Sequence, residues 1–221
     1  MTRGFVMKAG LPALRVTRLA MAAAVLSSCA SAPSHYYSLS APQSPAGAAF
    51  ARSLVSPFAI DVAPVAVPDE VNRPQIMIGE EGDARIVPLK SSLWASPLDD
   101  QIRTALGNAL SARLGVPMVP GGAAPEGVPV WRIQFQAHRF ESQYGRRVLL
   151  DASWQLRPIN QKKAAGTFVC RGAVSLPVEQ GVSALVLGHE QALQRFATVM
   201  AEQIRGGAPA GTTGLDVLSC T

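Results

Sequence analysis

Chemistry needs reactive side chains brought together, and here the candidates are few: three histidines and three cysteines in 221 residues. His35, His138 and His189 are far apart in sequence. His138 reads as lying on the polar side of a strand, and His189 on the apolar stripe of a helix. His189-Glu190 lacks the second histidine four residues on that a metal-binding helix needs, so His189 reads as a satisfied histidine at a core edge. There is no Gly-x-Ser-x-Gly elbow, no P-loop and no Gly-x-Gly-x-x-Gly after a strand. Asp99 and Asp100 are neighbours on a helix and diverge by about 100°, which suits a helix start better than an acid/base dyad. Neither Cys170 nor Cys220 has a second cysteine or a histidine at ligand spacing. The residues therefore point to no enzyme, no metal and no dissociable cofactor.

One short stretch does carry chemistry. Leu26-Ser27-Ser28-Cys29 reads as a lipobox, in which an apolar residue and two small ones present a cysteine thiol for acylation before cleavage makes it the first residue of the mature protein. The flanks agree. Arg3, Lys8, Arg15 and Arg18 precede an eight-residue apolar run, Leu19 to Leu26, with no acidic residue among them. That run suits a signal segment and falls short of the ~20 apolar residues a spanning helix needs. Residues 1–28 then read as an address, and a covalent lipid on Cys29 as the anchor.

The charge follows from that division. Of 20 basic and 15 acidic residues, the four basic ones named above precede Cys29 and no acidic ones do. Most of the formal net charge of +5 thus belongs to the signal, and nothing points to nucleic acid as a partner. With Cys29 lipidated, Cys170 and Cys220 remain as a pair. In an oxidising compartment they either form a disulfide, contributing roughly 4 kcal/mol by closing a loop of about 50 residues, or stay as a buried Cys170 and a free Cys220.

Residues 29–34 read as a tether reaching at most about 20 Å when extended. His35 to Leu39 reads as a short first strand, so 35–207 forms a single domain close to its membrane. Phe58 to Val67 is a strand that Pro64 pushes to an edge or ends early. Gln75 to Ile78 and Ala84 to Leu89 form a hairpin across a Gly and acid-rich loop. Ser96 reads as an N-cap, Pro97 as the first helical residue, and Leu98, Ile102, Ala105, Leu106, Ala109, Leu110 and Leu114 as a helical stripe stopped by Gly115. Val130 to Phe140, Arg147 to Arg157 and Gly166 to Leu176 alternate as an antiparallel meander. A second helix runs from about Val182 to Ile204. Residues 208–221 read as a flexible tail unless Cys220 pins them. The fold class is α+β: a largely antiparallel sheet with a three-stranded meander and two long helices packed on one face. Arg146-Arg147 and Lys162-Lys163 fall at opposite ends of that sheet, as solvated turns or as contacts for lipid headgroups or an acidic partner. Trp94 is either a buried anchor or an interface aromatic.

Several of these stretches together resemble the ABC-type transport auxiliary lipoproteins, which include the paraquat-inducible protein C lipoproteins. The carriers are Cys29 followed closely by Tyr36-Tyr37-Ser38-Leu39; Ile60 to Val67 with Val71-Asn72-Arg73-Pro74-Gln75-Ile76; and Trp94-Ala95-Ser96-Pro97-Leu98 leading into the helix. Asn72 departs from the aspartate expected before Arg-Pro-Gln-Ile. The resemblance implies an outer-membrane lipoprotein on the periplasmic face. It would work as a non-catalytic docking subunit with an MCE-domain protein and, through it, an inner-membrane ABC permease and ATPase that move phospholipid-like molecules. Ala30 after the lipid cysteine fits the outer membrane. Asn72, Arg73, Pro74 and Trp94 are the candidate partner contacts, and a ring-forming partner would suit a homo-oligomer. The alternatives are a lipoprotein that itself holds a lipid between helix and sheet, and a structural envelope lipoprotein.

Overall fold

The computed structural model describes residues 33–39, 58–80, 82, 85–119, 127–160, 166–207 and 214–221. The expected lipobox, Leu26, Ser27, Ser28 and Cys29, lies outside them, as do Lys162 and Lys163. Ser34–Thr221 is one compact unit and contains every element that follows.

The strands are β1 (His35–Tyr37), β2 (Ala59–Val62), β3 (Gln75–Gly79), β4 (Ile86–Trp94), β5 (Val130–Gln143), β6 (Arg147–Ile159), β7 (Phe168–Pro177) and β8 (Asp216–Cys220), with helices α1 (Leu98–Leu114) and α2 (Val182–Ile204). They form one eight-stranded sheet in the order β1-β4-β3-β5-β6-β7-β8, and β2 pairs with β5 off that path. The α+β class and the antiparallel meander β5-β6-β7 hold, but the sheet is mixed. The pairs β1·β4, β2·β5 and β3·β5 are parallel. Strand alternation says which face a residue takes but not the direction of its neighbour, so these pairings were invisible to periodicity.

Alternation in β5 is interrupted once. Its register against β6 shifts between Ala137 and Arg139, leaving His138 as the extra residue. Before that bulge Ile133, Phe135 and Ala137 face the core, and after it Phe140 and Ser142 do. A bulge changes the parity of the inward positions, which carries β5 three residues past the expected end at Phe140.

The helices cover one face of the sheet. Along α2, Leu185, Leu193, Phe196, Val199 and Met200 are buried, each contributing about 1.5–3 kcal/mol relative to exposure. Gly188 lets the helix come close, because a Cβ there would meet Val178 Cγ1 at 2.6 Å and Val148 Cγ2 at 3.0 Å. The start of α1 differs from expectation. Pro97 occupies the cap position with no side-chain cap bond, and the carbonyl of Ser96 accepts from the Gln101 side chain at 2.8 Å. Gly115 closes α1 in the left-handed conformation, φ 69°.

The expected flexible tail needs correction over its last part. Residues 208–213 lie outside the described ones, but Asp216–Cys220 is a strand antiparallel to β7. Cys170 and Cys220 are joined as a disulfide across that pair. The strand is only five residues, Asp-Val-Leu-Ser-Cys, at the edge of the sheet, so it depends on its partner and on the covalent link.

Candidate functional site

The surface around the Pro68–Pro74 segment follows from the length of β5. Its first half is flanked by β2, with a further bridge from Ala66 to Gln136. Its end is flanked by β3, where Gly79 pairs with Gln143. Between these two neighbours the chain leaves the sheet, and the β5 bulge lies at the same seam. The loop is closed internally: the carbonyl of Pro68 accepts from the amides of Val71 and Asn72, each at 3.1 Å, and Trp94 N–H donates to the carbonyl of Pro74 at 2.7 Å. Val71 is buried beneath it, while Asp69, Glu70, Asn72, Arg73 and Pro74 are exposed.

Three of the four expected contact residues, Asn72, Arg73 and Pro74, therefore share one exposed loop. The fourth does not. Trp94 is 6% exposed, and its ring meets Phe140 edge-on with centroids 6.3 Å apart. Its role is to hold the loop from inside, since a large aromatic before a helix gains more from the core than from water.

The histidines come no closer together in three dimensions. His35 is exposed, and His138 bonds to Ser153 Oγ at 2.9 Å. His189 is 1% exposed. It stacks on Phe140 with ring centroids 3.7 Å apart, and its Nε2 bonds to Ser142 Oγ at 2.9 Å. Burial lowers its pKa from 6.5 to about 3, so the ring is neutral at pH 7. Its Nδ1 is without a hydrogen-bond partner. Among the described residues no group of three His, Cys, Asp or Glu is placed to hold a metal ion.

Two shallow clefts lie at the end of the sheet where β5 turns into β6. One, of about 330 Å³, is lined by Gln143, Arg146, Arg147, Ser175 and Pro177. The other, of about 160 Å³, is lined by Ile78, Gly79, Glu80, Arg85 and Val87. The space between α2 and the sheet is filled by side chains. Phe196 stands edge-on to both Phe135 and Trp154, at 5.4 and 5.5 Å between centroids.

Buried polar groups knit these parts together, and sequence reasoning missed them. Gln203 accepts from Trp154 Nε1–H at 2.9 Å and donates from Nε2 to Cys170 Sγ at 3.2 Å. Gln101 accepts from the amide of Leu39 at 2.9 Å, fixing the segment just after β1 to α1. Asp61, buried in β2, pairs with Arg132 at 2.9 Å. Gln101 and Gln203 interrupt helical faces that are otherwise apolar, and that interruption was the available signal.

Residues 37–201 match the family described as ABC-type transport auxiliary lipoprotein component. A search of curated proteins finds no match. Among solved structures, a crystal structure titled as an uncharacterized protein superposes with a TM-score of 0.56 at 21% identity, covering 78% of this chain and 99% of its own. A protein from Xanthomonas campestris gives 0.52 at 16% identity, with the same coverage of 78% and 99%. These two share the fold. A minor lipoprotein from Acinetobacter baumannii gives 0.34 at 13% identity, over 73% of this chain and 98% of that one. The family match spans both helices up to Ala201, the seam loop and the meander, and on that ground the chain belongs to the ABC-type transport auxiliary lipoproteins.

Proposed function

We propose that this lipoprotein is a non-catalytic docking subunit, anchored by acylated Cys29 to the periplasmic face of the outer membrane. It would receive an MCE-domain protein that connects to an inner-membrane ABC permease and ATPase moving phospholipid-like molecules. The observation that carries the reading is the family match over residues 37–201. The packing of Phe196 between Phe135 and Trp154 favours docking over carriage, because an acyl chain held between α2 and the sheet would have to displace those rings. Ala30 after the lipid cysteine supports the outer membrane. A link of six residues from Cys29 to His35 extends at most about 20 Å. Such a leash is far too short to carry the domain across the periplasm, so the partner must come to it.

The exposed seam loop is the contact surface we assign to that partner, through Asn72, Arg73 and Pro74. Cross-linking in membranes of a tagged strain tests it. The same MCE partner is expected from the wild-type protein and from Cys29→Ala, with Arg73→Glu lowering the yield several-fold while the protein stays folded. Recovery of no MCE partner from the wild-type membranes would sink the docking reading.

A further inference from the structure

The cleft lined by Gln143, Arg146, Arg147, Ser175 and Pro177 has no part in the docking just described. We propose that it takes the phosphate group of a phospholipid head. Its lining combines two guanidinium groups, a hydroxyl and an amide with no carboxylate. Glu80 and Glu179 stand on neighbouring loops and do not line it. Its volume of about 330 Å³ lies at the lower end of the ~300–1,000 Å³ typical of small-molecule sites.

Arg147 differs from three other arginines of the meander. Arg132, Arg139 and Arg171 each bond through Nε to a carboxylate, of Asp61, Glu141 and Asp151 respectively. Arg147 Nε instead donates to the neutral Gln143 Oε1 at 3.0 Å. A guanidinium held through Nε by a neutral amide meets no opposing charge in that bond, and the planar fork of its terminal amino groups is the shape that matches a phosphate. The turn is also fixed in shape. Gly145 takes φ 63°, and a Cβ there would meet Gln180 Cγ at 2.8 Å. The β5–β6 turn is thus seated against the loop before α2, and the cleft is preformed.

Position favours a lipid source for the phosphate. β1 runs parallel to β4 with His35 opposite Ser92. It is therefore entered from the direction of Ile86, the strand end that adjoins Gly79 and, through it, Gln143. The six-residue leash keeps an acyl anchor within about 20 Å of His35, and Ser92 is itself six residues from Ile86. Tyr144, 48% exposed in the same turn, is the kind of aromatic that settles at headgroup level. The inference rests on the lipid anchor of the proposed function but not on the transport partner.

The test uses the full acylated protein in neutral detergent micelles, probed with inorganic phosphate, with glycerophosphoglycerol, and with micelles doped with phosphatidylglycerol. The doped micelles are expected to raise the thermal midpoint and broaden the lipid phosphorus resonance. Arg147→Gln should weaken that apparent affinity about tenfold, while Arg157→Gln, at the far end of β6, leaves it unchanged. Equal weakening by both variants would show a general charge effect and overturn the site. A response to inorganic phosphate with none to the doped micelles would overturn the lipid assignment. Circular dichroism matching the wild type removes misfolding as a cause. Arg147→Gln should still cross-link to the MCE partner, so loss of lipid binding and loss of docking are separable results.

Discussion

Two regions of the molecule reach the same end, a closed core under α2, by opposite chemistry. Near the β5–β6 turn the closure depends on a buried imidazole: His189 lies between Phe140 and the Ser142 hydroxyl with no charge of its own. At the β7–β8 edge it depends on a covalent bond, Cys170 to Cys220, with Gln203 linking it to Trp154. The first region is sensitive to protons and the second to reductants. The turn region also adjoins the cleft assigned to lipid, whereas the disulfide fastens the C-terminal strand. One fold therefore contains two separable points of failure, and each can be broken without touching the other.

Breaking the disulfide gives the largest effect. The bond closes a sequence separation of 50, and the chain-entropy relation gives about 4 kcal/mol for a loop of that length. The double variant Cys170→Ala, Cys220→Ala should lose stability of that order in urea unfolding, with the loss unchanged from pH 7 to pH 5. Amide exchange should show β8 opening well before β6. If the double variant unfolds at the wild-type urea midpoint, the edge is held by packing alone and the contrast between the regions disappears.

Breaking the other region needs acid. The folded-state pKa of His189 is about 3 against 6.5 for the free side chain, so between those values the unfolded chain binds a proton that the folded chain refuses. Stability contributed by the neutral ring is present above about pH 6.5 and declines as pH falls towards 3, by up to ~1.4 kcal/mol per pH unit. His189→Leu removes that proton. The difference in unfolding free energy between wild type and His189→Leu should shift by about 2 kcal/mol between pH 7 and pH 5, in the direction that favours the variant at low pH. Taking the difference cancels the carboxylates common to both proteins. A flat difference would mean that the ring is charged or solvated in the folded protein.

These two regions were unequally legible in the sequence. The helical stripe through Leu185, His189, Leu193 and Phe196 placed His189 on the apolar face from spacing alone, and the strict alternation of Val148, Leu150, Ala152, Trp154 and Leu156 gave β6 its inward face. What hides from such patterns is long-range pairing. Nothing local says that β1 lies parallel to β4 and β2 to β5, that His138 is a bulge which changes parity for Phe140 and Ser142, or that Asp216–Cys220 becomes a strand at the sheet edge. The candidate contacts divide in the same way: Asn72, Arg73 and Pro74 sit in an exposed loop, as a Pro-bounded polar segment should, while the burial of Trp94 is decided by Phe140, 46 positions further on. The proposed acylation of Cys29 rests on a local sequence pattern alone, so no long-range pairing enters its reading.

The smallest of the expected effects separates the covalent bond from the hydrogen bonds around it. Gln203→Met keeps the length of the side chain but leaves Trp154 Nε1–H with no acceptor in the core. That should cost about 1–2 kcal/mol, with no dependence on pH. If the amide also positions the sulfurs, through its 3.2 Å bond to Cys170 Sγ, its effect should shrink when both cysteines are already alanine. Neighbours that share a partner are not additive, and a coupling of 0.5 kcal/mol or more in the three-residue cycle would show the edge to be one cooperative unit. Strict additivity would separate them: the disulfide would act only through the unfolded chain, and Gln203 only through the indole.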